Sequence, residues 1–484
     1  MLDSEGAVDL NGYVVAGGQV ILIQNANGET TGYSLTRHDG AASLSITSDR
    51  QIKVGQEAYA GRTLTLTAGQ ATAVPGVDFS DIGILITGSG TLRTGAVGSS
   101  TTLSSASGVR TLAAAGPNSP AYAVYAPGTN SSINLQSAAG LRTASEIRID
   151  SALLAAGNVT IQANPAGNNV AAFNLSASGI LETQSGNIAV SGDNSIVSNG
   201  TLVATSGTNT LNSIADTTIG SASQINSPAA ITMIAGTDLL VNGAIGSLNA
   251  PLALTLSAVS GTLSVNQATG RLNSARNVLL DAQTLHFDGF LQTTAATPAA
   301  DDYEVRLIAD ELRLTGSLNT VGWLEIRSAT TPEIHNVTVD AAGSNSRILL
   351  TSEQDLNIGR ILQNEQSKWI SQTAAMTAPR GIAIEAPLGV VVLNNGSSLA
   401  TTASNSSITA QPTAFNSSVC SPLARKSTVM ALSSGPEQTR ISHCSPDKLH
   451  SAASESAPVA CSEREVALSR RPGTSYSMPP VTDR

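Results

Sequence analysis

Residues 231–265 read ITMIAGTDLLVNGAIGSLNAPLALTLSAVSGTLSV, a pattern that much of the chain repeats. Apolar side chains alternate with small or polar ones in four short runs, which contain Ile231/Met233, Leu239/Val241, Leu252/Leu254/Leu256 and Leu263/Val265. A period of two buries one face of a β-strand. Gly-, Asn- and Pro-containing segments between the runs predict turns. Each run is too short to be stable alone, so the sequence predicts strands that are stable only when the next copy stacks on them.

Pairs of apolar runs separated by about seven or eight residues recur along the chain. They begin at Ile231/Leu239, Val278/Leu285, Val305/Leu312, Ile348/Leu356 and Ile382/Val390. The intervals before Val278 and before Ile348 each have room for two coils of roughly 22 residues, and the interval before Ile382 fits one lengthened coil. This spacing predicts an all-β fold, a parallel β-helix with roughly 15 to 18 coils of two or three short strands. A right-handed coil is expected because parallel crossovers prefer that hand.

The composition limits the class of protein and its partners. Charged residues make up 12% of the 484 residues and aromatic residues 3%. Such a polar, low-complexity composition also fits disorder, but 41% of residues are hydrophobic and many of them fall in short alternating runs. The formal net charge of −10 and the lack of a basic stripe argue against a nucleic-acid partner. No run approaches the roughly 18 apolar residues of a membrane-spanning helix, and none is predicted.

Two regions are expected from the pattern. Residues 1–417 are predicted to form the repeat rod, with a first strand candidate at 19–23 and a loop-rich part at 68–145. In that part Pro117, Pro120 and Pro127 indicate a loop that leaves the stack. Residues 418–484 show no alternation and are predicted to be disordered. A flexible tail and an out-of-frame or unrelated end are both open interpretations of this segment.

The termini and the cysteines favour export. The first residues, MLDSE, do not form a secretory signal, and we expect an internal piece of a longer exported chain. The cysteines Cys420, Cys444 and Cys461 all follow residue 417. A body without cysteine suits an exported protein that needs no disulfide, and it is awkward for a metal or redox site.

Carboxylates are the best catalytic candidates in the chain. They cluster with arginines in the segment that contains Asp301, Asp302, Glu304, Arg306, Asp310, Glu311 and Arg313. Acids beside a basic residue act on acidic polysaccharides in several parallel β-helix enzymes, and paired carboxylates also bind hard cations. The simpler interpretation is a solvated loop entering a strand, where the acids keep the edge soluble. We predict no catalytic residues and therefore no enzyme.

The other candidate residues each have a structural explanation. His286 is expected on the outer face between Leu285 and Phe287, and His335 in a loop after Pro332. Neither has a second ligand at metal spacing, so no metal site and no cofactor are predicted. Trp323 and Trp369 are candidates for sugar stacking or for filling the core, and Gly88-Ser89-Gly90 for a turn. Asparagines at Asn199, Asn242 and Asn395 are candidates for hydrogen-bonded corner ladders.

The strand and turn pattern of residues 158–164 (NVTIQAN), 231–246 and 277–289 (NVLLDAQTLHFDG) resembles the filamentous-haemagglutinin-like exoproteins, which are bacterial adhesins of the two-partner secretion type. The resemblance covers most of residues 8–412 and lies in the style of the repeat. It implies a right-handed parallel β-helix exported through an outer-membrane transporter. Residues 25–28 read NANG, where the secretion domain of this family has Asn-Pro-Asn-Gly. This departure fits a fragment of the rod or a divergent relative.

Three functions are therefore hypotheses for this chain. The first is a secreted or surface-exposed bacterial adhesin rod that attaches to a host or neighbouring cell surface, to matrix or to glycans. The second is a β-helix enzyme, a lyase or hydrolase that degrades polysaccharides. The third is a passive spacer segment of a larger surface protein.

Overall fold

The computed structural model describes residues 1–38, 40–69, 82–113, 121–137, 146–164, 171–248, 250–294, 304–363, 369–394, 396–403 and 406–416. These residues form strands and turns and contain no helix. The predicted tail, residues 418–484, lies outside the described residues, as do Pro117, Pro120, Asp301, Asp302 and Asn395.

The strands in the first part of the chain are short, with three to eight residues. They are β1 (Leu2–Ser4), β2 (Val8–Leu10), β3 (Val14–Ala16), β4 (Gly18–Gln24), β5 (Thr30–Arg37), β6 (Ser43–Ser48), β7 (Ile52–Val54), β8 (Glu57–Ala60), β9 (Thr63–Ala68), β10 (Ile84–Ile86), β11 (Thr91–Thr94), β12 (Ser100–Ser105), β13 (Val109–Thr111), β14 (Val124–Ala126), β15 (Ser132–Ser137), β16 (Ile147–Ile149), β17 (Ala152–Ala155), β18 (Val159–Ala163), β19 (Phe173–Leu175), β20 (Ile180–Thr183), β21 (Ile188–Gly192) and β22 (Ile196–Ser198).

Several strands in the second part are longer because they continue around a corner. The set is β23 (Thr201–Ala204), β24 (Asn209–Ser213), β25 (Thr217–Ile219), β26 (Gln224–Asn226), β27 (Ala230–Ala235), β28 (Leu239–Val241), β29 (Ala244–Ile245), β30 (Ala253–Val265), β31 (Arg271–Ser274), β32 (Asn277–Phe287), β33 (Phe290–Thr293), β34 (Val305–Thr320), β35 (Leu324–Ser328), β36 (Glu333–Ala341), β37 (Arg347–Ser352), β38 (Leu356–Ile358), β39 (Arg360–Gln363), β40 (Trp369–Gln372), β41 (Ala374–Ala378), β42 (Gly381–Leu393), β43 (Ser398–Thr401) and β44 (Ser407–Asn416).

The strands stack in parallel into three faces, here called A, B and C. Each coil contributes one strand to each face in turn, as β27, β28 and β29 do. Face A is a ladder of sixteen strands, β1, β6, β9, β12, β15, β18, β21, β24, β27, β30, β32, β34, β35, β37, β42 and β44. At about 4.8 Å per strand, the stack is roughly 75 Å long. The prediction of an all-β, solenoid-like stack of parallel strands is confirmed.

The core is a set of aliphatic ladders inside the stack. On face A, Leu211, Met233, Leu256 and Leu280 follow one another in register, and all four are fully buried. Face B contributes Leu239 to the core, and face C contributes Ile245, which lies in the two-residue strand β29. Each coil encloses only a few apolar side chains, so burial becomes complete only when the next coil covers them.

Backbone close approach accounts for the glycines at the edge where face C leads into face A. Gly157, Gly186 and Gly207 occupy equivalent positions on successive coils before β18, β21 and β24. A Cβ atom on Gly186 would lie 2.3 Å from the carbonyl carbon of Gly157, and a Cβ on Gly207 would lie 2.0 Å from the carbonyl oxygen of Gly186. A larger residue at this position would therefore force the coils apart.

The coil spacing predicted from the apolar pairs is confirmed. Ile231 pairs with Leu254 and Leu254 with Val278, so the first long interval contains two coils. Val305 pairs with Leu324 and Leu324 with Ile348, so the second does too. The lengthened coil before Ile382 holds the antiparallel pair β39 and β40.

Two assignments within this pattern are wrong. Leu252 is 54% exposed, because the inward alternation of β30 begins at Leu254. In β42 the buried face-B residue is Val391 in place of Val390, because the strand changes register where it turns the corner between Ala386 and Val390.

The first strand candidate lies outside the stack. Residues 19–23 belong to β4, which pairs antiparallel with β5, while β1, β2 and β3 already build the first coil. Val20, Ile21, Leu22 and Ile23 are 39–53% exposed. The hairpin is held against face C, where Arg37 forms two 2.6 Å hydrogen bonds with Glu57 and Tyr59 donates to the His38 carbonyl at 3.1 Å.

The described residues contain no helix that is long and apolar enough to span a membrane.

Candidate binding surface

The stack separates the predicted carboxylate cluster. Glu304 is 5% exposed at the edge between faces C and A. Arg306 points outward from face A and donates to Glu325 at 2.8 Å. Asp310 is exposed at the edge between faces A and B, where its backbone carbonyl accepts hydrogen bonds from Ser328 and Thr330. These side chains therefore lie at different places around one coil.

The remaining members of the cluster face a third direction. Arg313 lies on face B and donates to Asp288 of the preceding coil, which also accepts a 2.5 Å hydrogen bond from Thr315. Glu311 is exposed at the start of the same face-B segment. Arg306 and Arg313 neutralise Glu325 and Asp288, and the described part of the cluster contains no convergent acid pair.

An open depression lies at the A–B edge, with a volume of about 510 Å³. Val259, Ser260, Asp281, Gln283 and Asp310 contribute to its walls. The described residues that line it carry two carboxylates and no basic group. This arrangement lacks the acid-plus-base pairing on which the enzymatic hypothesis depended.

The two histidines differ in their surroundings. His286 lies on the outer side of face B between two buried residues, as predicted. The placement of His335 in a loop is wrong, because it lies in β36 where the strand passes from face B to face C beside Asn336, whose φ is 51°. Both ring nitrogens of His335 are buried and have no hydrogen-bond partner among the described residues, and Glu333 is 3.9 Å away. Burial, and then the charge of Arg360, lowers the pKa of His335 below 6.5.

No group of three or more His, Cys, Asp or Glu side chains within the described ranges is arranged to hold a metal ion.

Corner ladders exist, but at positions other than the predicted ones. The side-chain oxygen of Asn158 accepts from the Asn187 backbone at 2.9 Å, and that of Asp238 accepts from the Thr262 backbone at 2.7 Å. Asn199 and Asn242 donate and accept no side-chain hydrogen bonds among the described residues, and the Asn199 side chain lies against Gly220. Gly88-Ser89-Gly90 forms the expected turn, in which Ser89 donates to the Gly55 carbonyl at 3.0 Å.

Outward side chains on face A form long polar columns. Thr65, Thr102, Asn134 and Thr160 follow one another in register on consecutive coils. A second column runs beside them and contains Thr67, Ser104, Gln136 and Gln162, of which Gln136 donates to Gln162 at 3.3 Å. Because the strands are parallel and in register, these hydroxyl and amide groups form a continuous hydrogen-bonding surface.

The contacts of the arginines differ from face to face. Those on the outer sides of faces A and B form ion pairs, as Arg110 and Arg148 do with Asp150 at 3.3 and 3.0 Å. On face C and its edge with face A, three guanidinium groups instead lie over aromatic rings. The pairs are Arg93 over Tyr125 at 4.8 Å, Arg271 over Phe290 at 5.8 Å and Arg347 over Trp323 at 4.8 Å. Tyr122 stacks on Tyr125 with 5.1 Å between ring centroids.

Trp323 is therefore neither a core residue nor an open sugar platform. It is half-buried at the C–A edge, and its indole N–H donates to the Asn345 carbonyl at 2.9 Å. Trp369 begins β40, and its side chain is not among those described. The pairing of Trp323 with Arg347 has no signal in the sequence, because 24 residues separate the two and only the coil register brings them together.

Comparison of the chain with protein-family models, with curated proteins and with solved structures finds no match.

Proposed function

We propose that the chain is a right-handed parallel β-helix that serves as the rod of a secreted or surface-exposed bacterial adhesin. The rod attaches to a host or neighbouring cell surface, to matrix or to glycans. The resemblance to filamentous-haemagglutinin-like exoproteins motivates the family assignment, and parallel crossovers favour the right hand. An outer-membrane transporter is the partner during export.

The observation that carries the proposal is the set of in-register polar columns on face A. A ligand that lies along Thr65, Thr102 and Asn134 meets a new hydroxyl or amide group about every 4.8 Å. Each such hydrogen bond is weak in water, at about 0.5–1.5 kcal/mol, so useful affinity needs many of them together. An extended surface suits attachment to an extended partner better than binding of a small molecule, which needs a concave pocket.

The arrangement of the acids also supports attachment over catalysis. General acid and base groups must lie within reach of one reacting bond. Glu304, Glu325 and Asp288 instead lie on different faces or edges, and arginines neutralise two of them. In the enzymatic alternative, the depression with Asp281 and Asp310 would be the place of cleavage. In the spacer alternative, no outer side chain binds anything.

One experiment separates the three functions. The full chain is passed over immobilised acidic and neutral polysaccharides, with and without Ca²⁺, and retention and newly formed chain ends are recorded on the same samples. Retention without new chain ends is expected for the adhesin. New chain ends that disappear in D281N or D310N would overturn the proposal in favour of an enzyme. Absence of both retention and cleavage would overturn the proposal in favour of the spacer function.

A further inference from the structure

Four residues from three coils meet at the C–A edge near the end of the stack, and we call them the Trp323 cluster. They are Trp323, Asn345, Arg347 and Arg380. Trp323 precedes β35 and Arg347 begins β37, and because Leu324 pairs with Ile348 the two side chains are neighbours along the edge. Arg380 belongs to the next coil, where Gly381 pairs with Arg347.

Asn345 connects the cluster. Its carbonyl oxygen accepts the Trp323 indole N–H at 2.9 Å, and its side-chain Oδ1 accepts Nε and Nη2 of Arg380 at 3.2 and 3.0 Å. The guanidinium carbon of Arg347 lies 4.8 Å from the centre of the Trp323 ring. A cation–π contact and a fork of two hydrogen bonds therefore fix the orientation of both arginines before any ligand binds.

In the part of the chain that the structure describes, Arg347 and Arg380 form no ion pair, whereas Arg306, Arg313 and Arg327 on faces A and B each have a carboxylate partner. Trp323 and Asn345 join the two guanidinium groups in one connected set of contacts, and their charge favours an anion close to them. The chain has a net charge of −10, so most of its surface repels an anionic ligand and this local positive site attracts it.

The site is also open. Arg347 and Arg380 are both exposed. The residue that pairs with Arg347 on the following coil is Gly381, which has no side chain to cover the guanidinium group. The N–H groups of Arg347 that do not face the ring can therefore reach a ligand, and the planar fork of arginine matches a carboxylate or sulfate group in two-point contact.

The geometry points to a binding site for acidic polysaccharides, in which the Trp323 cluster holds a carboxylate or sulfate group of the polymer. This deepens the attachment function, on which the choice of a polymer as the ligand rests. The edge continues along the rod, and Arg276, which forms no ion pair within the described ranges, lies at the same edge three coils before Arg347. At about 4.8 Å per coil the two are roughly 14 Å apart, so one polymer chain can reach both.

The test uses the fluorescence of Trp323 in the full chain. The chain has two tryptophans, so W369F leaves Trp323 as the single indole. In this background, polygalacturonate or dextran sulfate is titrated against the protein, with neutral dextran as the matched uncharged polymer. A saturable change in emission with both acidic polymers, weakened by salt, is expected, because the ligand shifts the guanidinium group over the ring. A response to only one polymer identifies the anionic group as carboxylate or sulfate.

Charge-removing variants locate the site. R347Q and R380Q are each expected to weaken binding by roughly tenfold, as for loss of a charge-assisted hydrogen bond. R271Q is the matched control, because Arg271 also lies over an aromatic ring and also has no ion partner among the described residues, and it should change affinity by less than about twofold. Equal weakening in R271Q would overturn the proposed site, because it would show that binding depends on positive charge in general and not on the Trp323 cluster. Binding of single-stranded DNA with the same dependence on Arg347 and Arg380 would overturn the choice of ligand.

Failure of this site and failure of the attachment function are distinguishable. Column retention of R347Q and R380Q on acidic polysaccharide at the wild-type level would overturn the Trp323 cluster and leave attachment through face A. Absence of retention for the wild-type chain on every polysaccharide and on cells would overturn both.

Discussion

The side-chain oxygen of Asn187 accepts a hydrogen bond from the backbone N–H of Thr208, one coil further along the stack, at 2.8 Å. The Thr208 hydroxyl donates to the same oxygen at 3.1 Å, and the Asn187 backbone N–H donates in turn to Asn158 at 2.9 Å. The edge between faces C and A is thus joined from coil to coil by side chains as well as by the β-ladder. A corner has fewer backbone hydrogen bonds than a strand, so these groups satisfy donors that would otherwise need water.

The first prediction concerns this ladder. Asn187→Ala leaves the exposed Thr208 N–H to water and should lower the free energy of unfolding by about 0.5–1.5 kcal/mol. Asn212→Ala, in the same coil as Thr208 but exposed on face A, is the matched control and should change it by less than about 0.5 kcal/mol. Urea unfolding followed by circular dichroism measures both. Equal effects of the two variants would show that the ladder contributes nothing to stability.

The second prediction tests the register of β30. Leu254 is 1% exposed and Leu252 is 54% exposed, although both belong to the same apolar run in the sequence. Leu254→Ala should destabilise the stack by roughly 2–5 kcal/mol, because it opens a cavity between two coils, and Leu252→Ala by less than about 0.5 kcal/mol. Thermal unfolding midpoints measure the difference. A larger loss in Leu252→Ala would mean that the strand faces the other way.

The third prediction concerns pH. Burial and the charge of Arg360 lower the pKa of His335 in the folded chain, with Arg313 acting in the same direction and Glu333 and Asp288 in the opposite one. As the pH falls below about 6.5, His335 therefore binds a proton in the unfolded chain before it does so in the folded chain. Stability that is fully present above pH 6.5 should be lost as the pH falls through the lowered pKa.

Substitution of each histidine checks this account. His335→Gln should reduce the loss of stability between pH 7.5 and pH 5, as read from urea midpoints at each pH. His286→Gln is the control, because that ring lies on the outer side of face B. An unchanged pH dependence in His335→Gln would contradict a role for this side chain.

Much of the fold follows from the sequence because burial in a stack imposes a period of two and a fixed coil length. The positions of Ile231 and Val278, and of Val305 and Ile348, predict two coils in each of these two intervals, and the register agrees. The third face was harder to predict, because β29 contains two residues, Ala244 and Ile245, and shows no alternation of its own. The hairpin of β4 and β5 was misplaced because four consecutive apolar residues look like a buried strand in the sequence, whereas in the structure they are exposed.

The surface features could not be predicted in the same way. Whether two side chains meet on the outside depends on the register between coils of unequal length, as it does for Trp323 and Arg347. The acids from Glu304 to Glu311 are close in sequence, but alternation and a corner send their side chains in different directions. Neighbours in the sequence are therefore a poor guide to a site in this architecture, and neighbours in register are a better one.

The most direct test of the central claim is the adhesion of beads that carry the full chain to intact cells, counted under flow beside beads that carry an unrelated protein of similar net charge. The account predicts that the first set is retained well above the second, and that soluble acidic polysaccharide releases it. Retention equal to that of the control beads would contradict attachment as the function of the rod.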